Sequence, residues 1–374
     1  MVDKPLQFIT SIPWDVRGGS GCYVGTSTLA GSLRRFGINV ELIKPNVTTP
    51  FFTATRLLFN ESLRWRQFDG AATVGVDVDG YAIAGRRKEL PHVACIKGVL
   101  GDAVRFESGA TRASLALQAG LERRNAQHAD LVITVSRYCA EKIEEFYGVR
   151  NVVVVPELID LGDWRHQFRA NPAVPDPHKF TVLSVCRFYP RKRLEVLLRA
   201  AVLLRKAIPE LEIRIVGNGS QRDRLRAVCK EFSLGPVVRW LGDASRSLLA
   251  EEYNRCDLFC LPSVQEGFGI VFLEAMAAGK AIVAVRASAI PEVVRSGILV
   301  EPDEPKALAA AIQHLYLHPE NRVDLGMAGF REVAEFDADC VAARFISEIG
   351  KVVPALRTGE MEHLDGRRQT IVGT

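Results

Sequence analysis

The sequence predicts an α/β protein of two domains, each a parallel sheet with helices on both faces. Three observations carry this. Apolar runs of strand length alternate with amphipathic helical segments through both halves of the chain. Glycine-rich stretches, "RGGSGCYVGT" (17–26) and "VGNGS" (216–220), stand at strand-to-helix turns in each half. Between the halves lies "GDWRHQFRANPAVPDPH" (162–178), which has three prolines and little periodicity and reads as a linker.

The first half opens with a strand, "LQFITSI". The glycine loop follows, then a helix, "TSTLAGSLRRF", stopped by Gly37, then a second strand, "NVELIK". "AATVGVDV", "HVACIKGV" and "LVITVS" are further strands, and "RYCAEKIEEFYG" is a helix ended by Gly148. "NVVVVPEL" is a buried strand. The second half restarts with the strand "FTVLSVCRF", the helix "RLEVLLRAAVLLRKA", the strand "LEIRIVGNG" and the helix "QRDRLRAVCKEFSLG". "VVRWLG", "LLAEEYNRC", "LFCLPS", "IVFLEAMAAG", "AIVAV" and "PKALAAAIQHLYL" continue the alternation, and "DADCVAARFISEIGKVV" is a final helix. Two such blocks give two Rossmann-like domains facing a cleft. The polar tail 357–374 carries no pattern.

Composition narrows the partners. The 374 residues are 48% hydrophobic and 25% charged, as in an ordinary globular protein. A net charge of +4 suits an anionic small substrate or an anionic membrane surface and is too weak to argue for nucleic acid. The eight cysteines form no C-x-x-C pair, and most sit among apolar neighbours, as in a reducing compartment. No apolar run has signal-peptide or membrane-spanning length, so the expected location is cytoplasmic.

Several segments can carry chemistry. Gly18 and Gly19, and again Gly217 and Gly219, let backbone approach a ligand beside a helix N-terminus, which favours an anion. "VGNGS" lacks the third glycine of the dinucleotide fingerprint, and no acid closes the strand after it, "VVRWLG", which disfavours a nicotinamide cofactor. Arg187, Arg191, Lys192 and Arg193 follow a strand and precede a helix. Such a cluster is often a solvated basic face, but at a sheet's C-terminal edge it can hold a diphosphate. In "QEGFGIVFLEAMAAGKAIVA" (265–284), Glu266 lies on a loop and Glu274 lies about one turn into an apolar helix. A carboxylate there needs a partner, either a local base or two ligand hydroxyls. The amides of Gly267, Phe268 and Gly269 at the helix start can also meet a ligand.

Other features are weaker. Asp77 and Asp79 in "DVDG" suggest a divalent metal, but aspartates and glycine also make turns, and the turn is preferred. His92 in "LPHVACIKG" has no partner spacing and starts a strand. The stretch 55–68, "TRLLFNESLRWRQF", interleaves Arg56, Arg64 and Arg66 with apolar residues, as a docked helix or one lying on a membrane surface would.

"EGFGIVFLEAMAAGKAIVA" resembles the E-x7-E signature of retaining nucleotide-sugar glycosyltransferases of family 4, which have the GT-B fold. "RGGSG…TLAGSLRRFGINVEL", "VLSVCRFYPRKRLEVLLRAA", "LEIRIVGNG", "IPEVV" and "GILVEPDEPKALAAAI" resemble the family too. The second half matches nearly throughout and the first mainly at its ends. The resemblance implies that Glu274 binds the ribose hydroxyls and that Arg187 and Lys192 hold the diphosphate. It also implies that Glu266, with the Gly267–Phe268–Gly269 backbone, faces the donor sugar, and that Gly18 and Gly19 lie near the phosphates. It implies no metal or other cofactor, and a final helix that crosses back to the first domain. The expected domains are therefore 1–165 with 337–356 for the acceptor, and 175–336 for the donor. The partners implied are a nucleotide sugar and an acceptor that is a glycan, a lipid-linked sugar or a small molecule. Contact with the inner membrane face would run through 55–68.

There are departures. Lys97 stands where many members carry a histidine near the donor sugar, so Lys97 contacts the sugar or acceptor, or His92 does, or the match is offset by a few residues. "PELID" and "SAIPE" also differ from the common pattern. A non-catalytic nucleotide-sugar-binding protein and a GT-B-type epimerase remain alternatives to a transferase.

Overall fold

The computed structural model describes residues 4–12 and 21–356. Gly18, Gly19 and the tail 357–374 lie outside the described residues. The first sheet contains β1 (Leu6–Ile9), β2 (Val40–Ile43), β3 (Ala72–Val76), β4 (His92–Ile96), β5 (Leu131–Thr134) and β6 (Val152–Val154). Their order is β2-β1-β3-β4-β5-β6, with every neighbouring pair parallel. Its helices are α1 (Gly21–Arg35), α2 (Phe52–Ser62), α3 (Leu100–Ala103), α4 (Gly109–His128) and α5 (Arg137–Tyr147). The glycine stops behave as expected: Gly37 and Gly148 follow α1 and α5 with φ of 77° and 70°, where a Cβ would be strained.

After α6 (Leu161–Ala170) comes the second sheet. It contains β7 (Phe180–Val185), β8 (Leu211–Val216), β9 (Val238–Gly242), β10 (Leu258–Leu261), β11 (Ala281–Val285) and β12 (Ile298–Val300). Its order is β12-β11-β10-β7-β8-β9, again all parallel. Between these strands run α7 (Leu194–Ala207), α8 (Arg222–Glu231), α9 (Arg246–Arg255), α10 (Ile270–Ala277) and α11 (Ile290–Val293). The chain closes with α12 (Pro305–Leu317), α13 (Pro319–Glu332) and α14 (Ala338–Ile349). The strands are nearly continuous buried apolar runs, as two covered faces require.

Several features differ from the sequence reading, the unanticipated α13 among them. The stretch expected to be a linker contains α6, which packs on α9 of the second domain. The Trp164 ring meets Tyr253 edge-on at 5.9 Å, and the Asn254 amide donates to the Phe168 and Asn171 carbonyls at 2.9 and 3.0 Å. Only 171–179 is left as irregular connection. The 20-residue α4 was not anticipated either, because few of its residues are apolar.

α14 returns to the first domain and packs on α1. Phe345 lies 6.3 Å from Phe8, ring to ring, and Ser32 Oγ donates to Asp339 at 2.5 Å. Burying a phenylalanine this fully contributes roughly 2–3 kcal/mol. The two crossing segments touch where Ile159 and Asp337 form a parallel bridge.

Candidate active site

In an open parallel sheet, ligands bind beyond the strand C-termini where successive connections diverge. In the second domain that point lies between β7 and β10, neighbours in space but far apart in sequence. The loops leaving these two strands carry Lys192 and Glu266, whose Nζ and Oε1 lie 2.5 Å apart. Both side chains are largely buried, 12% and 9% exposed. Pro190–Lys192 forms one 3-10 turn, and Arg193, with φ of 50°, opens α7. Val264 N and Ser263 Oγ both donate to the Arg191 carbonyl, at 2.9 and 3.2 Å, which ties the two loops together. Glu266 N donates to Ser288 Oγ at 2.9 Å.

Arg187 leaves the end of β7 and meets Asp243 at 3.2 Å. The turn after β8 packs against this segment. A methyl on Gly217 would lie 1.9 Å from the Cys186 carbonyl oxygen, and one on Gly219 would lie 2.7 Å from the Phe188 nitrogen. This close packing by itself requires both glycines, and it holds the Arg187 loop in place.

Gly269, with φ of 97°, turns the chain into α10. The N–H groups of Gly267, Phe268 and Gly269 have no hydrogen-bond partner among the described residues. They stand at the positive end of α10, where an anion is favoured. The Phe268 ring points inward and packs edge-on against Phe336 at 5.5 Å, leaving only its backbone for a ligand. Glu274 Oε2 accepts from the Tyr253 hydroxyl at 2.9 Å. Burial pushes this carboxyl up to about 7, against the opposing pull of the Tyr253 hydrogen bond and the Arg246 charge.

In the first domain, Lys97 follows β4. Its Nζ bonds both carboxylate oxygens of Glu157 at 2.8 and 2.9 Å, and both side chains are buried. Burial opposes the Lys97 charge most strongly of any one cause, but Glu157 with the nearby Cys95 and Cys22 together hold the ammonium above its ordinary range. The pair fits only because α1 has a glycine above it: a methyl on Gly25 would lie 2.1 Å from Glu157 Oε2. The Lys97 carbonyl faces the donor-side loop, and a methyl on Gly267 would lie 2.4 Å from it. His92 lies at the opposite end of β4, buried between Thr73 Oγ1 at 2.8 Å and Asn125 Oδ1 at 2.9 Å. Burial lowers its pKa.

Asp77 and Asp79 form the turn after β3. Asp77 accepts from Lys97 N at 2.8 Å and from Cys22 Sγ at 3.3 Å. Asp79 accepts from Ser11 N at 2.6 Å and Asn60 Nδ2 at 2.7 Å. Among the described residues, no three His, Cys, Asp or Glu side chains gather around a cation position. Arg56 docks the segment 55–68 on the first domain. It is buried, 3.6 Å from Asp79, with Nε on Ser11 Oγ and Nη1 on Gln118. This segment exposes Leu58 at 63% and Trp65 at 89% beside the charged Glu61 and Arg66, and Phe51 just before it is 75% exposed. No helix among the described residues is long and apolar enough to cross a membrane.

Three participants were not singled out from sequence: Glu157, Tyr253 and Ser288. Glu157 and Ser288 lie in the departures "PELID" and "SAIPE", whereas Tyr253 left no signal.

Comparison with known proteins agrees with this geometry. Residues 167–332 match the family model for glycosyl transferases group 1, and residues 21–163 match that for glycosyltransferase family 4. A D-inositol 3-phosphate glycosyltransferase from Pseudarthrobacter chlorophenolicus is 29% identical over 61% of this chain and 59% of its own length. A GDP-mannose-dependent alpha-(1-6)-phosphatidylinositol monomannoside mannosyltransferase from Mycolicibacterium smegmatis is 28% identical over 55% and 58%. This chain therefore spans well under two thirds of these relatives' lengths. Among solved structures, a sucrose-phosphate synthase from Thermosynechococcus elongatus superposes with a TM-score of 0.79 at 21% identity, covering 94% of this chain and all of that one. Anabaena HepE in complex with UDP and glucose gives 0.71 at 18% identity, covering 93% and 99%. At such identities the likeness is one of fold, the GT-B arrangement of two Rossmann-like domains. The two family models meet near the domain boundary and between them take in both domains, so the chain belongs to the group 1 glycosyltransferases.

Proposed function

We propose that this protein is a retaining glycosyltransferase that moves a sugar from a nucleotide-sugar donor to an acceptor hydroxyl without a divalent metal. The observation that carries the reading is the gathering of Arg187, Lys192, Glu266 and three N–H groups without a partner among the described residues at one topological switch point. Glu274 stands one turn along the helix that this loop starts.

In this reading Arg187 and Lys192 hold the donor diphosphate, Glu266 and the Gly267–Gly269 backbone face the sugar, and Glu274 accepts from the ribose hydroxyls. The bond from the anomeric carbon to the diphosphate oxygen breaks while the acceptor oxygen approaches the same face. The acceptor's proton passes to the departing phosphate oxygen. Fixed cations help because negative charge grows on that oxygen as the bond breaks. Lys97 is engaged with Glu157, so the first domain offers the sugar the loop backbone at Lys97 rather than a free ammonium. The engagement of Asp77 and Asp79 by protein donors supports the metal-free reading.

The relatives are named for acting on inositol 3-phosphate and on a phosphatidylinositol mannoside. A hydroxyl of a phosphorylated polyol, free or lipid-borne, is therefore the acceptor class to test first. The exposed Phe51, Leu58 and Trp65 favour the lipid-borne form and contact with a membrane surface.

The test is a panel of UDP-, GDP-, ADP- and dTDP-sugars, with thermal stabilisation and donor hydrolysis measured with and without EDTA. One nucleotide sugar is expected to stabilise the protein and to be hydrolysed slowly in both conditions. No stabilisation by any of them overturns the donor site. Binding without any turnover favours the non-catalytic alternative, and isomerisation of the donor favours the epimerase. Complete loss of activity in EDTA returns Asp77 and Asp79 to consideration.

A further inference from the structure

The two domains are joined across the cleft by an unusual helix cap. The first three N–H groups of an α-helix have no partner inside it. In α5 the third, at Cys139, donates to the side chain of its own cap residue, Ser136, at 3.1 Å. The first two are capped from the other domain. Arg137 N and Tyr138 N donate to Glu292 Oε2 and Oε1 at 2.9 and 2.8 Å. A carboxylate with one oxygen on each of two N–H groups at a helix's positive end is a charge-assisted contact. Ser136 Oγ meanwhile donates to the Gly267 carbonyl, 2.8 Å away and also in the other domain.

Both contacts lead to Glu266. Glu292 lies on α11, and the residues just before it grip Glu266 from either side. Ser288 Oγ accepts from Glu266 N at 2.9 Å, and Ala289 N donates to the Glu266 carbonyl at 3.4 Å. The start of α5, the start of α11 and the "EGFG" loop are thus one bonded unit that spans the cleft.

We propose that Glu292 is a positioning residue that latches the two domains together through the N-terminus of α5 and so sets the loop bearing Glu266. The part concerning the loop rests on the donor-site reading above; the latch itself does not.

The test uses the full chain and three variants, Glu292→Ala, Glu292→Gln and Arg137→Pro. The last removes one of the two donors without ending the helix. Proline is favoured at the first helical position, and Ser136 before it is already extended, with φ of −154° and ψ of 163°. Solution X-ray scattering without ligand is expected to give a larger radius of gyration for Glu292→Ala and Arg137→Pro than for wild type. Glu292→Gln, which keeps an acceptor oxygen but loses the charge, falls between. The donor KM rises about tenfold in Glu292→Ala, the factor that 1.4 kcal/mol of lost closure represents. Its kcat stays within about twofold, because saturating donor closes the cleft. Variants that scatter as wild type overturn the latch, whatever their melting temperature. If larger scattering dimensions leave KM unchanged, the latch does not set the donor loop. If the wild type binds no nucleotide sugar at all, the donor-site reading fails, and scattering alone decides the latch.

Discussion

Lys192 and Glu266 lie 2.5 Å apart although they leave different strands, β7 and β10. The contact bridges the one gap in the second sheet where the chain's direction of winding reverses. A charge pair so little exposed does two things there. It holds the Lys192 ammonium at the end of β7, and it fixes the carboxylate of the "EGFG" loop.

Removing either partner leaves the other as a largely buried single charge. Lys192→Ala is expected to lower kcat by about 10²–10³, the loss typical of one preorganised charge-stabilising group. It should also lower the melting temperature by several degrees, as about 1–2 kcal/mol does in a chain of this size. Glu266→Ala should give a similar thermal loss. Steady-state kinetics and a thermal melt on the same preparations check both. A variant with normal kcat would remove Lys192 from the reaction.

Glu274 yields a pH dependence with a defined sign. Its carboxyl titrates near 7 in the fold because burial penalises its charge, against an ordinary value of 4.5. The folded state therefore holds a proton that the unfolded state has released between these values. Stability linked to this group is largest below about 4.5, falls as pH rises, and levels off above about 7. The range corresponds to a few kcal/mol at most, at 1.36 kcal/mol per unit. Donor affinity should run the other way, because only the carboxylate accepts two ribose hydroxyls. Donor KM is expected to fall as pH rises through about 7, and Glu274→Gln should flatten that profile. A wild-type KM that is flat between pH 6 and 8 would contradict this role.

The second domain was legible because its strands are uninterrupted apolar runs and its site residues sit at strand ends. The linker was misread because Trp164 and Phe168 lie among charges and prolines, and only Tyr253 and Asn254, some ninety residues away, make that stretch part of a core. The sequence left 55–68 open between a docked helix and a membrane-surface one, because Arg56's partner Asp79 is brought beneath it only by the turn after β3. Glu292 stands in "SAIPE", a departure visible in the sequence, but its partner on α5 was hidden for the same reason. A helix cap supplied by another domain leaves no spacing in the sequence.

The Lys97–Glu157 pair separates a structural ion pair from a substrate contact. Lys97→Met strands Glu157 in a buried site, and the loss expected is about 3–5 kcal/mol. Lys97→Met combined with Glu157→Leu should be more stable than Lys97→Met alone, because no unpaired charge is left. Denaturant midpoints for the two singles and the double give the coupling. If the double variant is also the more active, Lys97 serves the fold. If it is as stable as wild type but inactive, the ammonium itself acts on substrate.

Gly267 and Gly269 stand two residues apart in the same loop but should fail in different ways when a methyl is added. At Gly269 the obstacle is local. Its φ is 97°, and the added carbon would lie 2.6 Å from the Phe272 ring of the same helix. Gly269→Ala should therefore lose stability, by about 1–2 kcal/mol from the backbone alone. At Gly267 the backbone is not in the left-handed region, and the obstacle is the other domain. The carbon would lie 2.4 Å from the Lys97 carbonyl oxygen and 3.3 Å from the Gly98 Cα. Neither backbone atom can turn aside as a side chain would, so the domains must part. Gly267→Ala should keep its melting temperature within about 2 °C while kcat/KM falls about 10²-fold, the loss that an ångström of misplacement produces. The same variant should show a larger radius of gyration, and Gly269→Ala should not. If Gly267→Ala melts early and scatters as wild type, the approach of the "EGFG" loop to Lys97 supports the local fold rather than the closed cleft.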